Sequence, residues 1–408
     1  MKVSFDRSKI RILLAEGVHS NAEELFRTSG YDNLTLHAGA LEGDELADAV
    51  REFHMIGIRS RSQLTEQVLE QSQRLMAIGC FCIGTNQVNL DAAARKAIPV
   101  FNAPFSNTRS VAELVLAEAI LLLRGVPERT MQMHSGLWQK SASHSNEVRG
   151  KTLGIIGYGN IGSQLGVLAE AIGMKVCFYD AESKLQLGNA VQVDDLEQLL
   201  ATADVVSLHV PATEATSNMI DANALSKMQE NAVLINASRG HVVDLEALAD
   251  ALNRRAIRGA AIDVFPIEPK RNGDPFESPL LNVPNVILTP HIGGSTLEAQ
   301  ENIGSEVAEK LVRYSDNGST KSAVNFPEVT LPEHLDKHRV LHVHKNMPGV
   351  MSAINQVLAD EGINVASQYL MTKDDVGYVV VDIDKDWSQA AINSLRQVDG
   401  TLRTRILF

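Results

Sequence analysis

The sequence predicts an α/β protein with two doubly wound parallel-sheet domains and a smaller C-terminal domain of βαββαβ order. Three observations support this fold class. Apolar runs alternate with amphipathic segments up to residue 105, a second alternating series begins at Lys151, and the segment after residue 338 follows a different order. The length of 408 residues also suits two to three domains, at roughly 150 residues per domain.

The first series predicts a parallel sheet covered by helices on both faces. Its strands are predicted at 10–14, 55–58, 75–78 and 100–101, and its helices at 22–28, 44–52, 66–73 and 90–96. A long buried helix is predicted next at 110–124, with Ser110 as a residue that can cap its N-terminus.

The second series predicts the strands and helical crossovers of a nucleotide-binding domain. Six strands are predicted at 152–156, 175–179, 205–210, 233–237, 260–264 and 286–289, with helices at 161–172 and 244–254. One more helix is predicted at 297–314. The stretch 315–337, which contains Gly318, Pro327 and Pro332, is predicted to be a linker.

The C-terminal segment predicts a ferredoxin-like domain. Its elements are predicted as strand 340–344, helix 350–358, strands 364–371 and 378–383, helix 388–398 and strand 402–407.

Charge and composition exclude several classes of protein. The chain has 37 Lys and Arg against 50 Asp and Glu, a formal charge of -13, which argues against binding to nucleic acid or to acidic membranes. The most apolar longer stretch, 111–123, contains Glu113 and Glu118 and is too short to span a bilayer. The N-terminus shows no secretory signal, so a soluble cytoplasmic protein is expected.

The three cysteines, Cys80, Cys82 and Cys177, cannot form a disulfide framework, and the C-x-C spacing differs from that of redox or zinc motifs. Neutral thiols in a reducing compartment are expected. The twelve His residues are scattered, so no metal site is predicted.

A glycine-rich loop follows the predicted strand at 152–156. Gly157, Gly159 and Gly162 form G-x-G-x-x-G between a strand and a helix, the context in which this motif binds dinucleotides. Gly157 permits the tight turn, Gly159 lets the backbone approach a pyrophosphate, and Gly162 permits close packing of helix and strand. The helix N-terminus supplies N–H donors to the phosphates.

Asp180 ends the next predicted strand, where its carboxylate can accept hydrogen bonds from ribose hydroxyls. Ala181 and Glu182 follow and offer no cation for a 2′-phosphate, which favours NAD over NADP. An incidental turn followed by an acid is the alternative interpretation.

Three further polar residues, Arg239, Glu268 and His291, lie at or just beyond the ends of later predicted strands of the same domain. Ligands of open α/β sheets bind at the carboxyl ends of strands, so the three side chains can converge on one cleft. Arg239 can hold a carboxylate and polarise the adjacent oxygen. His291 can take a hydroxyl proton, and Glu268 can orient the imidazole and raise its pKa. Surface or second-layer roles remain the alternative for each.

The segments around these residues resemble those of the D-isomer-specific 2-hydroxyacid dehydrogenases, in particular members that carry a C-terminal ACT domain. The similarity extends over essentially the whole chain. The segments that carry it are 102–104, 110–113, 157–162, 236–240, 263–265 with 268–269, and 288–294.

This resemblance implies a flavodoxin-like substrate-binding domain at 1–107 and 292–330, a Rossmann NAD-binding domain inserted at 108–291, and an ACT regulatory domain at 338–408. It implies that Arg239, Glu268 and His291 are catalytic, and that Asp263 accepts a hydrogen bond from the nicotinamide amide. The residues it places around NAD are Gly157, Gly159, Asn160, Ile161, Gly162, Asp180, Ala237, Ser238, Arg239, Asp263, His291, Ile292, Gly293 and Gly294.

The implied reaction is the NAD-dependent oxidation of 3-phosphoglycerate to 3-phosphohydroxypyruvate, which leads carbon to serine. Arg59, Ser60 and Arg61 follow a predicted strand, and their donors suit a phosphate or carboxylate. From the residues alone, substrate contact and a merely exposed helix start are equally open; the resemblance favours substrate contact, most strongly for Arg59 and Ser60. Lys140 is a weaker candidate, since its loop can equally pack against another subunit.

In the ACT segment the resemblance implies that His344, Asn346 and Asn364 hold L-serine where two such domains pair. A purely structural oligomerisation module is the alternative. A homotetramer is also implied.

Two alternatives for the function stay open. Another D-2-hydroxyacid dehydrogenase would use an acid such as glycerate or 2-hydroxyglutarate, and reduction of 2-oxoglutarate is also conceivable as a second activity. A non-enzymatic NAD(H)-sensing regulator, similar to the transcriptional corepressors of this superfamily, would bind the cofactor without turnover. The acidic charge and the intact Arg, Glu and His set argue against it.

Overall fold

The computed structural model describes residues 6–269, 271–333, 337–384 and 389–407, and it divides into two compact units. One unit contains the chain up to Ser106 together with the chain from Gln300 onward, and the other contains Asn107–Ala299. The sequence-based boundaries lie after residues 107 and 291. The C-terminal segment, which was predicted as a domain of its own, shares the first compact unit.

The N-terminal part of the first unit is a five-stranded parallel sheet with the order β2-β1-β3-β4-β5. This is the flavodoxin-like order that the resemblance implies. The strands are β1 (Ile12–Leu14), β2 (Leu34–Leu36), β3 (Met55–Ile58), β4 (Ala77–Cys80) and β5 (Val100–Asn102), and the helices are α1 (Ser20–Thr28), α2 (Gly43–Glu52), α3 (Glu66–Glu70) and α4 (Leu90–Arg95).

Strands β1, β2 and β4 differ from the sequence-based prediction for this sheet, and β1 begins at Ile12 rather than at 10. Strand β2 was missed, because a three-residue edge strand that is only partly buried leaves little pattern in the sequence. Strand β4 begins at Ala77 rather than at 75, since Leu75 and Met76 are buried ahead of the strand and read as part of the same apolar run.

The second unit holds a seven-stranded parallel sheet, in the order β12-β11-β10-β9-β6-β7-β8, within the described residues. Its strands are β6 (Thr152–Ile156), β7 (Lys175–Tyr179), β8 (Val191–Gln192), β9 (Val205–Leu208), β10 (Val233–Asn236), β11 (Gly259–Ile262) and β12 (Val286–Leu288). Its helices are α5 (Thr108–Leu123), α6 (Val126–His134), α7 (Asn160–Ala171), α8 (Leu196–Thr202), α9 (Ala222–Lys227) and α10 (Leu245–Asn253). The six predicted strands are confirmed, and the two-residue edge strand β8 was missed.

The start of helix α5 corrects another expectation. Asn107, not Ser110, is the residue that precedes the first helical turn, and it makes no side-chain capping bond. The Ser110 hydroxyl instead lies 2.8 Å from the Thr296 hydroxyl. A serine inside the first turn therefore joins two segments of this unit rather than capping the helix.

After α11 (Leu297–Asn317), the chain forms a four-stranded antiparallel sheet with the order β14-β15-β13-β16. Its elements are β13 (His338–Lys345), α12 (Val350–Asp360), β14 (Val365–Lys373), β15 (Val376–Ile383), α13 (Gln389–Arg396) and β16 (Thr401–Leu407). The predicted ferredoxin-like order is confirmed; position 388 of the predicted helix lies outside the described residues.

The segment predicted as a linker is built into the first unit over 318–333. Ala323, Phe326, Val329 and Leu331 are buried, and the backbone N–H of Val324 donates to the Val100 carbonyl at 2.8 Å. The linker prediction was wrong there, because glycine and proline signal a lack of regular secondary structure and say nothing about burial. Positions 334–336 of the prediction lie outside the described residues.

One apolar core joins both sheets of the first unit. Phe101 of β5, Tyr314 of α11, Phe326 and Tyr378 of β15 all belong to it. Beside this core Arg339 is fully buried and donates to both carboxylate oxygens of Asp382, at 2.6 and 2.8 Å, and Arg339 also donates to the Pro332 carbonyl at 2.9 Å. The C-terminal sheet therefore packs as part of this unit.

Among the described residues, no helix is long and apolar enough to cross a membrane, and no cluster of three or more candidate ligands for a metal is present. The three cysteines are free thiols; burial raises the pKa of Cys80 well above its usual range and that of Cys82 to about 11.

Candidate functional site

The glycine loop connects β6 to α7 in the second unit. Gly157 has φ of +92°, a conformation that favours glycine, and a Cβ at Gly162 would overlap the carbonyl oxygen of Gly157. A Cβ at Gly159 would meet no atom within 4 Å. Asn160 and Ile161 open α7 at the same point. The loop thus has one glycine for the turn, one for close packing and one with open space beside it, as dinucleotide binding requires.

These separate roles give a testable contrast between two alanine variants. Gly159→Ala should fold with an unchanged Tm, because the added methyl group meets no protein atom, but should weaken NAD binding roughly tenfold or more by filling the space for the pyrophosphate. Gly162→Ala should lower the Tm, because its methyl group cannot fit beside Gly157. Thermal melts and titration of NADH fluorescence check both. Equal NAD affinity in Gly159→Ala and the unaltered protein would contradict the assignment.

Asp180 follows β7 and lies beside this loop. Its Oδ2 accepts a hydrogen bond from the Tyr158 backbone N–H at 2.8 Å, and its Oδ1 accepts from the Glu182 backbone at 3.0 Å. The Nζ of Lys184 lies 4.0 Å from Asp180 and is also paired with Glu182. Sequence reasoning looked only at the two residues after Asp180 and missed this cation.

Glu268 and His291 are brought together as the sequence predicts. His291 Nδ1 lies 2.9 Å from Glu268 Oε2 and 3.1 Å from Oε1, and Glu268 Oε1 also accepts from the Phe265 backbone N–H at 3.1 Å. His291 has φ of +54°, and its own N–H donates to the Asp263 carbonyl at 2.9 Å. A non-glycine residue held in this conformation is typical of functional sites.

The pair shifts the pKa values of both partners in the directions expected of an acid–base couple. The hydrogen bond to Glu268 raises the pKa of His291 above its ordinary value, against the opposing effect of burial. Partial burial acts to raise the pKa of Glu268, but the hydrogen bonds from His291 and Phe265 outweigh it and leave that pKa below its ordinary value. His291 is therefore poised to exchange a proton, and Glu268 stays ionised to stabilise the imidazolium.

Arg239 follows β10 and is exposed, with its Nη1 donating to the Ser238 carbonyl at 2.7 Å. Its positive charge acts to lower the pKa of both Glu268 and His291, which places it within electrostatic reach of the pair. No described carboxylate forms an ion pair with Arg239, so its guanidinium is available to an anionic ligand. Ser238 itself is buried and donates to Asn236 Oδ1 at 2.8 Å, and Ala237 between them is half-buried.

Asp263 braces the segment that carries His291. Its buried carboxylate accepts from the Thr289 hydroxyl at 2.6 Å and from the backbone N–H groups of Ile292 and Gly293, each at 2.8 Å. A Cβ at Gly294 would overlap the side chain of Asn107. The role of Asp263 toward the nicotinamide amide stays a prediction, and sequence reasoning missed this bracing role.

Glu118 is a second residue whose place sequence reasoning missed. It lies on α5 with both carboxylate oxygens buried and without a hydrogen-bond partner among the described residues. Burial, and secondarily the charge of Asp263, raises the pKa of Glu118 to about 8, so the group is largely protonated at neutral pH. A carboxylate among the otherwise apolar residues 114–123 of this helix was the available signal.

The predicted substrate residues Arg59, Ser60 and Arg61 belong to the first unit and follow β3. Arg59 is half-buried, while Ser60 and Arg61 are exposed. Lys140 is exposed in the second unit. The structure thus presents the donors of the predicted anion-binding loop at a strand end.

The predicted serine residues are spread along the C-terminal sheet. His344 is buried, with its Nδ1 2.7 Å from the Lys345 carbonyl, and Asn346 donates to the Asp374 carbonyl at 3.0 Å. Asn364 donates to Asp384 Oδ2 at 2.9 Å. The strand register places His344 opposite Gly377, at one end of the sheet, and Asn364 beside the other end. Within one chain these residues are not brought together.

Comparison with known proteins agrees with this arrangement. Residues 116–293 match the model of the D-isomer specific 2-hydroxyacid dehydrogenase NAD binding domain, and residues 340–403 match that of the AHAS small subunit-like ACT domain. The chain is 58% identical over 409 aligned residues to D-3-phosphoglycerate dehydrogenase of Escherichia coli K12, covering 100% of each chain. It is 44% identical to the D-3-phosphoglycerate dehydrogenase of Dictyostelium discoideum, covering 99% of each chain.

Among solved structures, D-lactate dehydrogenase from Aquifex aeolicus, complexed with NAD and lactic acid, is 28% identical with a TM-score of 0.66. That match covers 78% of this chain and 100% of the other. The chain therefore belongs to the D-3-phosphoglycerate dehydrogenases, within the D-isomer-specific 2-hydroxyacid dehydrogenase family.

Proposed function

We propose that this chain catalyses the NAD-dependent oxidation of 3-phospho-D-glycerate to 3-phosphohydroxypyruvate, the first step of L-serine biosynthesis. The observation that carries the proposal is the hydrogen-bonded Glu268–His291 pair, in a chain that matches D-3-phosphoglycerate dehydrogenases over its full length. Arg239, which forms no ion pair with a described carboxylate, is in electrostatic reach of this pair. A base that takes the hydroxyl proton, an ionised acid that stabilises the protonated base, and a cation that holds the substrate carboxylate are the groups that this oxidation requires.

The residues around the glycine loop fit NAD. The backbone at Gly159 and the N-terminus of α7 would hold the pyrophosphate, Gly157 and Gly162 would permit the turn and the helix packing, and Asp180 would accept from the ribose hydroxyls. We also assign the segments around Ala237, Asp263 and Gly293 to this site. NAD, when bound, supplies the hydride acceptor for the reaction.

The protein's own groups handle the proton and the carboxylate. Arg239 holds the carboxylate of the substrate through its planar fork of donors and polarises the neighbouring oxygen. His291 accepts the hydroxyl proton at Nε2, because Nδ1 is held by Glu268. The ionised Glu268 stabilises the imidazolium that forms. In the reverse direction, protonated His291 returns the proton to the keto oxygen.

This mechanism predicts the effect of removing the charge at position 268. Glu268→Gln should lower kcat roughly 10- to 100-fold, as loss of an orienting partner usually does. The oxidation needs neutral His291, so kcat/KM rises with pH through the raised pKa of that group. Without the Glu268 charge this pKa falls, and the acid limb of the profile should move to lower pH. An acid limb at the same pH in Glu268→Gln and the unaltered enzyme would contradict the pairing of Glu268 with His291. The matched control is Glu246→Gln, because Glu246 is an exposed carboxylate of α10.

The substrate is tested by measuring NADH formation from 3-phosphoglycerate alongside D-glycerate and D-2-hydroxyglutarate, and NADH consumption with 2-oxoglutarate. Preference for 3-phosphoglycerate supports the proposal, with Arg59, Ser60 and Arg61 as the candidate donors to the phosphate. Preference for another acid would make the chain a different D-2-hydroxyacid dehydrogenase. Absence of turnover on every acid, with NADH binding retained, would favour the sensing regulator.

We further propose feedback inhibition by L-serine through the C-terminal domain, in a homotetramer. The distance along the sheet between His344 and Asn364 means that a serine pocket containing both, with Asn346, requires two chains. Titration of the oxidation with L-serine, together with light scattering to determine the subunit count, tests both parts. A monomer that serine still inhibits would contradict the shared pocket.

A further inference from the structure

A buried carboxylate, Glu16, lies two residues after the end of β1 in the first unit. Its side chain is 2% exposed, and its backbone has φ of +63°, which residues other than glycine adopt uncommonly. Burying a charged carboxylate is costly unless it is well hydrogen-bonded. The hydrogen-bond partners of Glu16 must therefore offset the cost of burying it.

Glu16 binds the backbone of the loop 59–62, which contains the predicted substrate residues Arg59, Ser60 and Arg61. Its Oε1 accepts from the Ser62 N–H at 2.8 Å, and its Oε2 accepts from the Arg61 N–H at 3.0 Å. Hydrogen bonds from N–H donors to an ionised carboxylate are stronger than neutral ones. Two consecutive amides held by one carboxylate leave the turn little freedom.

Gln87 holds the same loop from its other end. Its Nε2 donates to the Arg59 carbonyl at 2.6 Å and to the Gly84 carbonyl at 3.2 Å, and its side chain is buried. The Leu64 N–H in turn donates to the Gln87 carbonyl at 2.8 Å. The backbone of the loop is thus fixed on both sides by buried polar groups.

Glu16 lies near one of the two arginines of the loop, so the two differ in how far their charge is balanced. Its Oε2 lies 3.9 Å from Nε of Arg61, so the charge of Arg61 is partly balanced. Among the described residues, no carboxylate forms an ion pair with Arg59, and Ser60 makes no hydrogen bond. Arg59 and Ser60 are therefore the donors left available to an incoming anion.

We infer that Glu16 is a positioning residue for recognition of the substrate phosphate, acting through the backbone of Arg61 and Ser62 to present Arg59 and Ser60. This inference rests on the proposed function, because it takes a phosphorylated acid as the substrate. Glu16 does not touch the substrate; it fixes the loop and reserves the charge of Arg59 for the phosphate.

The variant Glu16→Gln tests this role, since it keeps the shape but turns an NH₂ group toward a backbone N–H. The KM for 3-phosphoglycerate should rise roughly tenfold, as loss of a charge-assisted contact implies, with kcat within about twofold. The KM for D-glycerate, which lacks the phosphate, should change less than about twofold. Affinity for NADH, measured by fluorescence, should not change. Glu52→Gln, an exposed carboxylate of the same unit paired with Arg11, is the matched control.

A double-mutant cycle with Arg59→Ala separates positioning from general damage. If Glu16 acts through Arg59 and Ser60, the two increases in KM should not multiply, and the KM of the double variant should lie below the product expected for independent effects. An unchanged KM in Glu16→Gln, or an equal rise for both substrates, would overturn the inference. Should Glu16→Gln not fold, Gln87→Leu releases the other side of the loop and carries the same expectation. Absence of NADH formation by the unaltered enzyme would contradict the proposed function itself, and the inference with it.

Discussion

Replacing His291 with alanine is expected to reduce kcat for 3-phosphoglycerate oxidation about 10²- to 10⁴-fold, the range for loss of a positioned acid–base group. The imidazole is the group whose raised pKa and Glu268 contact prepare it to accept the hydroxyl proton. Affinity for NADH should change far less, because the glycine loop remains intact. Initial rates with saturating NAD, together with NADH titration, provide the measurement.

His134→Ala is the matched control, because this histidine is exposed at the end of α6. Its kcat should equal that of the unaltered enzyme. Turnover of His291→Ala within tenfold of the unaltered enzyme would remove His291 from the assigned role and leave the Glu268 contact as a structural one.

The second large effect is expected at Arg239, where lysine keeps the charge but loses the planar fork. Arg239→Lys should lower kcat/KM about 10²- to 10³-fold, since a single ammonium cannot hold the carboxylate and the adjacent oxygen together. Loss of the fork affects the transition state as well as binding, so kcat should fall and KM should rise.

Arg254→Lys supplies the comparison for Arg239, because Arg254 is an exposed residue paired with Asp250 on the same unit. The same substitution there should leave kcat/KM unchanged. If Arg239→Lys retained normal kcat and normal KM, carboxylate binding would have to be assigned to another cation.

Much of the fold could be predicted because most of its strands are either buried throughout, or alternate between buried and partly exposed residues. Strands β6 and β7 begin and end where the apolar runs do, and the acid–base pair follows from strand ends that a parallel sheet places together. Exposed edge strands such as β2 and β8 carry no such pattern. Their existence depends on backbone pairing with a neighbour, which a single sequence does not record.

The residues that support the site were harder to predict from the sequence than the residues of the acid–base pair. Glu16, Gln87 and Asp263 contact backbone groups far away in the chain, and their identity depends on where an amide points, not on any local motif. Glu118 differs, because a carboxyl inside an apolar helix face is visible in the sequence. The sequence does not show, however, that the charge of Asp263 acts on this carboxyl group.

The buried strap at 318–333 has a consequence for synthesis of the chain on the ribosome. The core around Phe101 lacks Tyr314 and Phe326, and the Val100 carbonyl lacks its hydrogen bond from Val324, until residues 314–326 have emerged. At a rate of synthesis of about 5–20 residues per second, roughly ten to forty seconds pass between completion of the N-terminal sheet and emergence of the strap. During that time the apolar residues beside β5 stay uncovered, while the inserted unit can already fold. Chaperone dependence of nascent chains should therefore fall as the strap emerges, and end only when β15 and β16 supply Tyr378 and Leu407 to the same core.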